Sequence, residues 1–477
     1  MHISTWIISF IYLLNLILML VIVFRGRQNT AQTWAWILVL TFLPVIGFPL
    51  YIFFGRKLSS NVFDVPDDKK IGVVDELQIQ QKALQENKFD VPEISGLSIK
   101  QLIYMMTVDG GSLYTKGNHV DLYIDGIDKF DHLMKDIEQA QDHVHLEYFA
   151  YEDKKLGQAL LDKLVDAAKR GVKVKLMIDG WGSIGTNNKF FKPLIDAGGE
   201  LTRFAPYLIQ FNYRNHRKIA VIDGKIAYIG GFNIGDEYLG LNPHMGYWRD
   251  NHLRIEGPAV YSLQSRFLMD WNSQHKKDHR EEYQMEYFPE MVNKGDNDIQ
   301  IIASGPDSQR EQIKMVYVKM INMAEEEILI QTPYYIPDDA IHDALKVALL
   351  SGVKVRIQIP DKPDHMLVYW ATYSFVSELM EYGATIEIYD NGFIHAKTVI
   401  IDGKIASVGS ANMDVRSLHL NFEVNAVIYN EDFAQMIRDT YHETSKQCHV
   451  LTKELYEQRS SLIKFKEGLA RLIAPIL

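Results

Sequence analysis

The chain has 477 residues, with 61 acidic against 50 basic side chains and a formal charge of −11. Its 47% apolar and 23% charged residues are those of a folded chain long enough for two or three domains, and they exclude wholesale disorder. One cysteine, Cys448, excludes an intramolecular disulfide and a four-cysteine metal centre, and the acidic balance argues against a protein held on nucleic acid by its overall field.

Residues 3–24 carry no charge over 22 positions, and residues 33–54 repeat that length and neutrality. As helices each reaches about 33 Å, enough to cross a hydrocarbon core of about 30 Å. The first lacks the basic start and small-residue cleavage site of a signal peptide. The second contains Pro44, Gly47 and Pro49, which membrane helices tolerate better than soluble ones. The pattern predicts a transmembrane hairpin over residues 1–57, with spans at about 3–24 and 33–54 and both ends on one side. Arg25 and Arg27 in the joining loop balance Arg56 and Lys57 after the second span, so charge leaves the orientation open. The lack of cysteine pairs points to a reducing compartment for the rest of the chain.

Residues 58–107 read as a polar connector with a helix near Gln78–Gln85 and no chemistry of its own. Beyond it the chain repeats itself. Gly171-Val172-Lys173-Val174-Lys175 recurs as Gly352-Val353-Lys354-Val355-Arg356. Each copy follows a helical pattern (Leu160 to Arg170; Ala340 to Ser351) and opens a buried-strand pattern. Ahead of each helix is another apolar run (Val144 to Ala150; Ile328 to Gln331). Strand, helix, strand at this spacing predicts a right-handed βαβ unit, and a period near 180 residues is too long for a solenoid. The expected fold is α/β, with two homologous domains at 108–285 and 286–477 packed as a pseudo-dimer behind the hairpin.

Each repeat then carries the same constellation. The first has His216, Lys218, Asp223, Gly224, Gly230 and Asn233; the second has His395, Lys397, Asp402, Gly403, Gly409 and Asn412. In both, lysine, aspartate, glycine and asparagine follow histidine by 2, 7, 14 and 17 residues. A single copy would be read first as a core strand with a satisfied histidine. Two copies with four matching offsets call for chemistry. Residues two apart in a strand share a face, so histidine and lysine point together. The Asp-Gly pairs look like hairpin turns, which favours a structural role for Asp223 and Asp402 although both belong to the candidate catalytic motif. The returning strand brings Asn233 or Asn412 back beside its histidine. Lysine and asparagine donate to oxyanions, and imidazole attacks phosphorus or moves a proton near neutral pH. Two such half-sites suit a phosphodiester, one histidine taking the phosphoryl group and the other protonating the leaving alcohol.

These paired H-x-K-x4-D motifs resemble those of the phospholipase D superfamily, and within it the chain is similar to the bacterial cardiolipin synthases. The resemblance runs from the hairpin to the C-terminus. It is carried also by Val144-His145-Leu146-Glu147-Tyr148, Tyr247-Trp248-Arg249-Asp250, Ala303-Ser304-Gly305-Pro306, Thr332-Pro333-Tyr334-Tyr335-Ile336-Pro337-Asp338 and Gly409-Ser410-Ala411-Asn412-Met413-Asp414-Val415-Arg416-Ser417. It implies phosphatidyl transfer without metal or cofactor, in which two phosphatidylglycerol molecules of the bilayer give cardiolipin and glycerol. His216 would form a phosphatidyl-histidine while His395 serves as acid and then base. Lys218, Lys397, Asn233 and Asn412 would hold phosphoryl oxygens. A carboxylate would orient each histidine, with Asp250 downstream of His216 and Glu423 downstream of His395. The resemblance also implies a multi-pass protein of the cell membrane with its catalytic domains on the cytoplasmic face. Oligomeric state is not legible.

Three rival activities share these motifs: hydrolysis by water, transfer to another acceptor alcohol, and cleavage of nucleic acid. The last is disfavoured by the −11 charge and the two apolar segments. A silent membrane scaffold would not be expected to keep both histidines, both lysines and both asparagines. The pairs His143/His145 and His275/His279 lack a third metal ligand and read as packing or surface residues. Glu147 reads equally as a pocket or a strand-end residue. The aromatic run Met366 to Phe375 and the mixed basic and apolar stretch Leu462 to Leu477 each suit a membrane contact or a docked helix equally.

Overall fold

The computed structural model describes residues 2–25, 30–51, 74–91, 94, 97–204, 212–276, 279–281, 284–290, 292–308 and 310–474. In each half the predicted βαβ unit forms. His143–Tyr148 and Lys173–Asp179 pair in parallel around the helix Lys155–Lys169, and Glu327–Gln331 and Lys354–Pro360 do so around Asp339–Leu350. Gly171 and Gly352 end these helices at φ 92°, a conformation in which a Cβ is strained, and this explains why the repeated pentapeptide begins with glycine.

A third parallel strand follows in each half (Glu200–Phe204; Thr385–Tyr389). On the other side of the first strand, antiparallel, lies the strand after each histidine (Ile219–Ile222; Thr398–Ile401) and then its hairpin return (Ile226–Gly230; Ile405–Gly409). His252–Glu256 and Glu423–Ile428 come next, and the innermost strands, Tyr114–Tyr123 and Asn297–Ser304, pair with each other. The same order thus runs outward from one seam, and the two halves fuse into a continuous 15-stranded sheet. Val221, Ile229 and Leu253 from one half form a single apolar cluster with Ile299, Ile400 and Val424 from the other, under the helices Ala259–Ser273 and Glu431–Ser445. Each such side chain contributes roughly 1.5–3 kcal/mol by leaving water, so the seam is core rather than a docking contact.

The expected connector is part of that core. Its helix Val74–Gln85 holds the seam strand through Gln80, whose side-chain amide donates to Tyr114 O at 2.6 Å and accepts from Tyr114 N at 3.1 Å. Leu84, Ile99, Leu102 and Met106 pack into the cluster of the second half.

At the N-terminus, His2–Arg25 is one helix, but the expected second span is broken. Its helix runs Thr30–Phe42, Pro44 lies in a turn, and a short helix Gly47–Leu50 follows. Proline supplies no N–H and crowds the carbonyl four residues back, and Asn15 of the first helix donates to Pro44 O at 2.7 Å. Ile22, Met19 and Leu18 pack on Leu40 and Trp36, so the two helices run antiparallel. Among the described residues no helix is long and apolar enough to cross a membrane. The end of the second expected span, 52–54, lies outside them.

Candidate active site

Both histidines lie in extended segments just ahead of their strands rather than within them. Short parallel pairings lock these segments across the seam. His216 N donates to Phe422 O at 2.9 Å, and Phe422 N to Arg214 O at 2.8 Å. In mirror fashion Phe393–Ile394 pairs with Trp248–Arg249, and His395 N donates to Arg249 O at 2.7 Å. Each histidine is therefore laid against the residue that precedes a carboxylate of the opposite half.

The consequence corrects the sequence reading. His216 Nδ1 meets Glu423 at 2.9 Å, and His395 Nδ1 meets Asp250 Oδ2 at 2.7 Å. Asp250 thus serves the histidine of the second half and Glu423 that of the first, opposite to the pairing suggested by chain order. Both carboxylates are completely buried, and the two histidines are under a tenth exposed. Nδ1 faces the carboxylate in each ring, which leaves Nε2 for a substrate.

The lysines reach back over their own histidines. Lys218 Nζ donates to His216 O at 2.6 Å, Lys397 Nζ donates to His395 O, and Lys397 Nζ lies 4.0 Å from Asp250. Burial pushes Lys218 down to about 7 and Lys397 down to about 8, against the pull of Glu423 and Asp250, and the Lys397 ammonium depresses Lys218 further. Burial also lowers His216, offset by Glu423. It lowers His395 much further, helped by Lys397, Lys218 and His216. Lys218 and Lys397 thus act on both imidazoles, so the two histidine–lysine pairs lie close to one another.

The carboxylates behind the rings differ. Burial would raise Glu423, but His216, Lys218 and the Ser410 hydroxyl, which donates to Glu423 Oε2 at 2.5 Å, bring it below its ordinary value. Asp250 is pushed up to about 6 by burial, with Lys397 and the Asn251 N–H at 2.7 Å opposing. Where the second half has Ser410 the first has Gly231, and a Cβ there would lie 2.0 Å from Asp250 Oδ1. The glycine is required by the close approach of the carboxylate.

Two other expected residues are not brought to this centre. Asp223 and Asp402 sit at the far ends of the strands, in turns where both central residues have positive φ (52° and 61°). The Asp223 carboxylate accepts the backbone N–H groups of Gln141, Asp142 and His143, and the Asp402 carboxylate those of Glu325, Glu326 and Glu327. Their place in the catalytic motif is therefore corrected to that of strand-end clamps. The asparagines are buried but partly engaged: Asn233 Nδ2 donates to Tyr238 OH at 2.8 Å, Asn233 Oδ1 accepts Ala150 N, and Asn412 bonds Asp414 while its own Oδ1 has no partner.

Sequence reading missed the supporting residues. Arg217 lies between His216 and Lys218. It crosses the seam to Glu423 O and Ser304 O, both at 3.1 Å, and donates to Asp270 at 2.7 Å. Asn251 donates to Gln331 and Thr398 of the second half. Phe149 packs edge-on to His216 at 4.9 Å, and Trp248 and Tyr238 flank His395. Of these, Trp248 lies in a stretch that the sequence had singled out, Tyr247-Trp248-Arg249-Asp250, and Arg217 stands where the second motif has Ala396. Glu147 is buried in the sheet and accepts from Asn215 Nδ2 beside His216. His143 and His145 pack ring against ring at 4.6 Å and meet Tyr287 edge-on, and His275 stacks on Trp271.

Twin α/β halves that fuse into one sheet and bring two histidine–lysine pairs close together define the phospholipase D class of fold. A family model described as "Cardiolipin synthase, PLD-like domain" matches residues 133–271 and 317–444, and one described as "Phospholipase_D-nuclease N-terminal" matches 13–56. Among similar proteins, a cardiolipin synthase of Listeria monocytogenes is 48% identical and the major cardiolipin synthase of Bacillus subtilis 47% identical, each over the whole of both chains. A phosphatidylserine synthase structure from Haemophilus influenzae shares the fold with a TM-score of 0.57 at 13% identity, covering 75% of this chain and 95% of that one. The chain belongs to the cardiolipin synthase family of the phospholipase D superfamily.

Proposed function

We propose that this protein is a phosphatidyl transferase that joins two phosphatidylglycerol molecules into cardiolipin and releases glycerol. The observation that carries the chemistry is the exchanged pair of imidazole–carboxylate contacts, His216–Glu423 and His395–Asp250, closed over two buried lysines.

In this reading His216 Nε2 attacks the phosphorus of the first lipid and the bond to glycerol breaks, His395 giving its proton to the departing oxygen. A phosphatidyl group is left on His216. His395 then takes the proton of the second lipid's hydroxyl, whose oxygen attacks phosphorus and releases His216. No net proton is consumed. Glu423, held anionic, supports the charge that grows on His216, and Asp250 steadies the imidazolium of His395. An entering phosphodiester returns Lys218 and Lys397 to full charge, and Asn233 and Asn412 offer their amide N–H groups beside them.

The two halves, 108–285 and 286–477, supply one half-site each. Although no described helix is long and apolar enough to cross a membrane by itself, the apolar N-terminal helices hold the enzyme at the bilayer, with the catalytic halves on its cytoplasmic face. Their outward side chains support this: Trp6, Phe10, Leu13, Ile17, Trp34 and Phe42 are all exposed.

Phosphatidylglycerol labelled in its head group, given to purified protein in liposomes without nucleotide or metal, should yield glycerol and cardiolipin in equal amounts. Phosphatidic acid as the main product would mean hydrolysis instead. Acid-free trapping should find phosphorus on His216, and phosphorus on His395 alone would reverse the roles.

A further inference from the structure

The helix Ser461–Ile473 has two apolar faces, and the fold uses only one. Ala470, Ala474 and the buried Glu467 turn inward, where the two alanines pack with Leu367, Trp370, Ala371 and Phe375 of the helix Met366–Glu381. On the opposite face Leu462, Phe465, Leu469 and Leu472 are 62%, 68%, 51% and 78% exposed. Their spacing of three, four and three residues makes one continuous stripe along the helix. Four large apolar side chains in a row are unusual on a solvated surface.

The charges around the stripe point to its partner. Lys464 and Lys466 flank it, Lys466 along the Trp370 ring at 4.8 Å, while Arg471 turns to Glu378 of the helix beneath. The one carboxylate of the helix, Glu467, is 1% exposed and paired with Arg459 at 2.7 Å. The helix therefore presents apolar groups between cations and no exposed anion, in a chain whose formal charge is −11. A basic apolar helix face fits an anionic lipid surface, whose headgroups meet the lysines while the leucines enter the acyl boundary.

The helix beneath the stripe also leads toward the centre. It begins at Met366, itself half exposed, and Asp364 just ahead of that helix accepts from Tyr334 and bears electrostatically on His395.

We propose that the outer face of the helix Ser461–Ile473 is a second membrane contact, which lies in the anionic bilayer interface through Leu462, Phe465, Leu469 and Leu472 and holds the catalytic halves against their lipid substrate. This rests on the reading that the substrate is a bilayer phosphatidylglycerol.

The test uses the full chain and a Leu469→Glu/Leu472→Glu variant, whose substitutions are exposed and should leave thermal unfolding unchanged. On phosphatidylglycerol vesicles the variant's KM should rise at least about ten-fold, while turnover of a short-chain phosphatidylglycerol below its micelle concentration stays at the parent level. Equal KM on vesicles overturns the proposal. Separately, a polarity-sensitive label on Leu472→Cys in a Cys448→Ser background should shift to the blue on vesicle binding and become shielded from an aqueous quencher. A label that stays accessible overturns the proposal, as do disulfide-linked dimers through Leu472→Cys, which would put a second copy on the stripe. If the parent makes no cardiolipin from the monomeric lipid, the functional reading fails while the label still decides the docking.

Discussion

Asp250→Asn separates the two half-sites, because it removes a charge from the first half and damages the histidine of the second. The Asp250 carboxylate stands 2.7 Å from His395 Nδ1, and both are buried. At an effective dielectric near 20, opposite charges about 4 Å apart interact by about 4 kcal/mol. Asparagine keeps a hydrogen-bond acceptor of the same shape but not the charge. At about 1.36 kcal/mol per ten-fold in rate, loss of that attraction corresponds to about a thousand-fold in the protonation of the departing oxygen. Glycerol release should slow by that factor. A phosphatidyl ester of p-nitrophenol leaves without protonation, so its release in a single turnover should slow only about ten-fold. Glu423→Gln acts on His216 and should slow both substrates alike. The assay is rapid-quench release of labelled glycerol against absorbance of p-nitrophenolate. If Asp250→Asn slows both leaving groups equally, or if Glu423→Gln is the variant sensitive to the leaving group, the assigned roles are wrong.

The free enzyme should show a bell in kcat/KM. It falls below about pH 6 as Asp250 takes a proton and falls above about 7 to 8 as Lys218 and Lys397 lose theirs. A flat profile from pH 6 to 9 would contradict it. Because both lysines hold protons less well folded than unfolded, stability should rise with pH from about 7 toward the ordinary lysine range, and Lys218→Met should flatten that slope in chemical denaturation. Asp223→Asn and Asp402→Asn each strip a carboxylate that clamps three backbone amides, and should cost about 1–3 kcal/mol in urea unfolding while activity per folded molecule persists. Gly231→Ala pushes a methyl carbon onto Asp250, so kcat should fall at least about a hundred-fold with an unchanged far-UV spectrum. Normal turnover in that variant would show that the carboxylate has room to move.

The extent of what was legible differs by element. The βαβ units, their glycine stops and the two matched motifs are local patterns, and local patterns survive in a linear reading: Gly171 and Gly352 mark helix ends because a left-handed residue is needed there whatever the rest of the chain does. The Asp-Gly turns were equally readable, and the turn position alone argued against Asp223 and Asp402 as reacting groups. Pro44 was visible as well, but a membrane span and a broken helix both admit proline, and the break depends on Asn15 from the other helix.

Sequence by itself determined the chemistry available: two imidazoles, two ammonium groups, two amides and two acids, in a repeat that had to fold twice. Which acid serves which histidine was decided by tertiary structure. The offsets from histidine, 34 to Asp250 and 28 to Glu423, pair each acid with its own repeat. The seam reverses this, because antiparallel pairing of Tyr114–Tyr123 with Asn297–Ser304 sets the halves face to face, and the short parallel contacts Asn215–Phe422 and Phe393–Trp248 then carry each histidine across. Register between distant strands leaves no trace in the spacing along one strand. The same holds for the lysines, whose lowered proton affinity comes from burial under the opposite half, and for the helix Ser461–Ile473, whose composition allowed either docking or membrane contact until the fold showed one face used and the other bare.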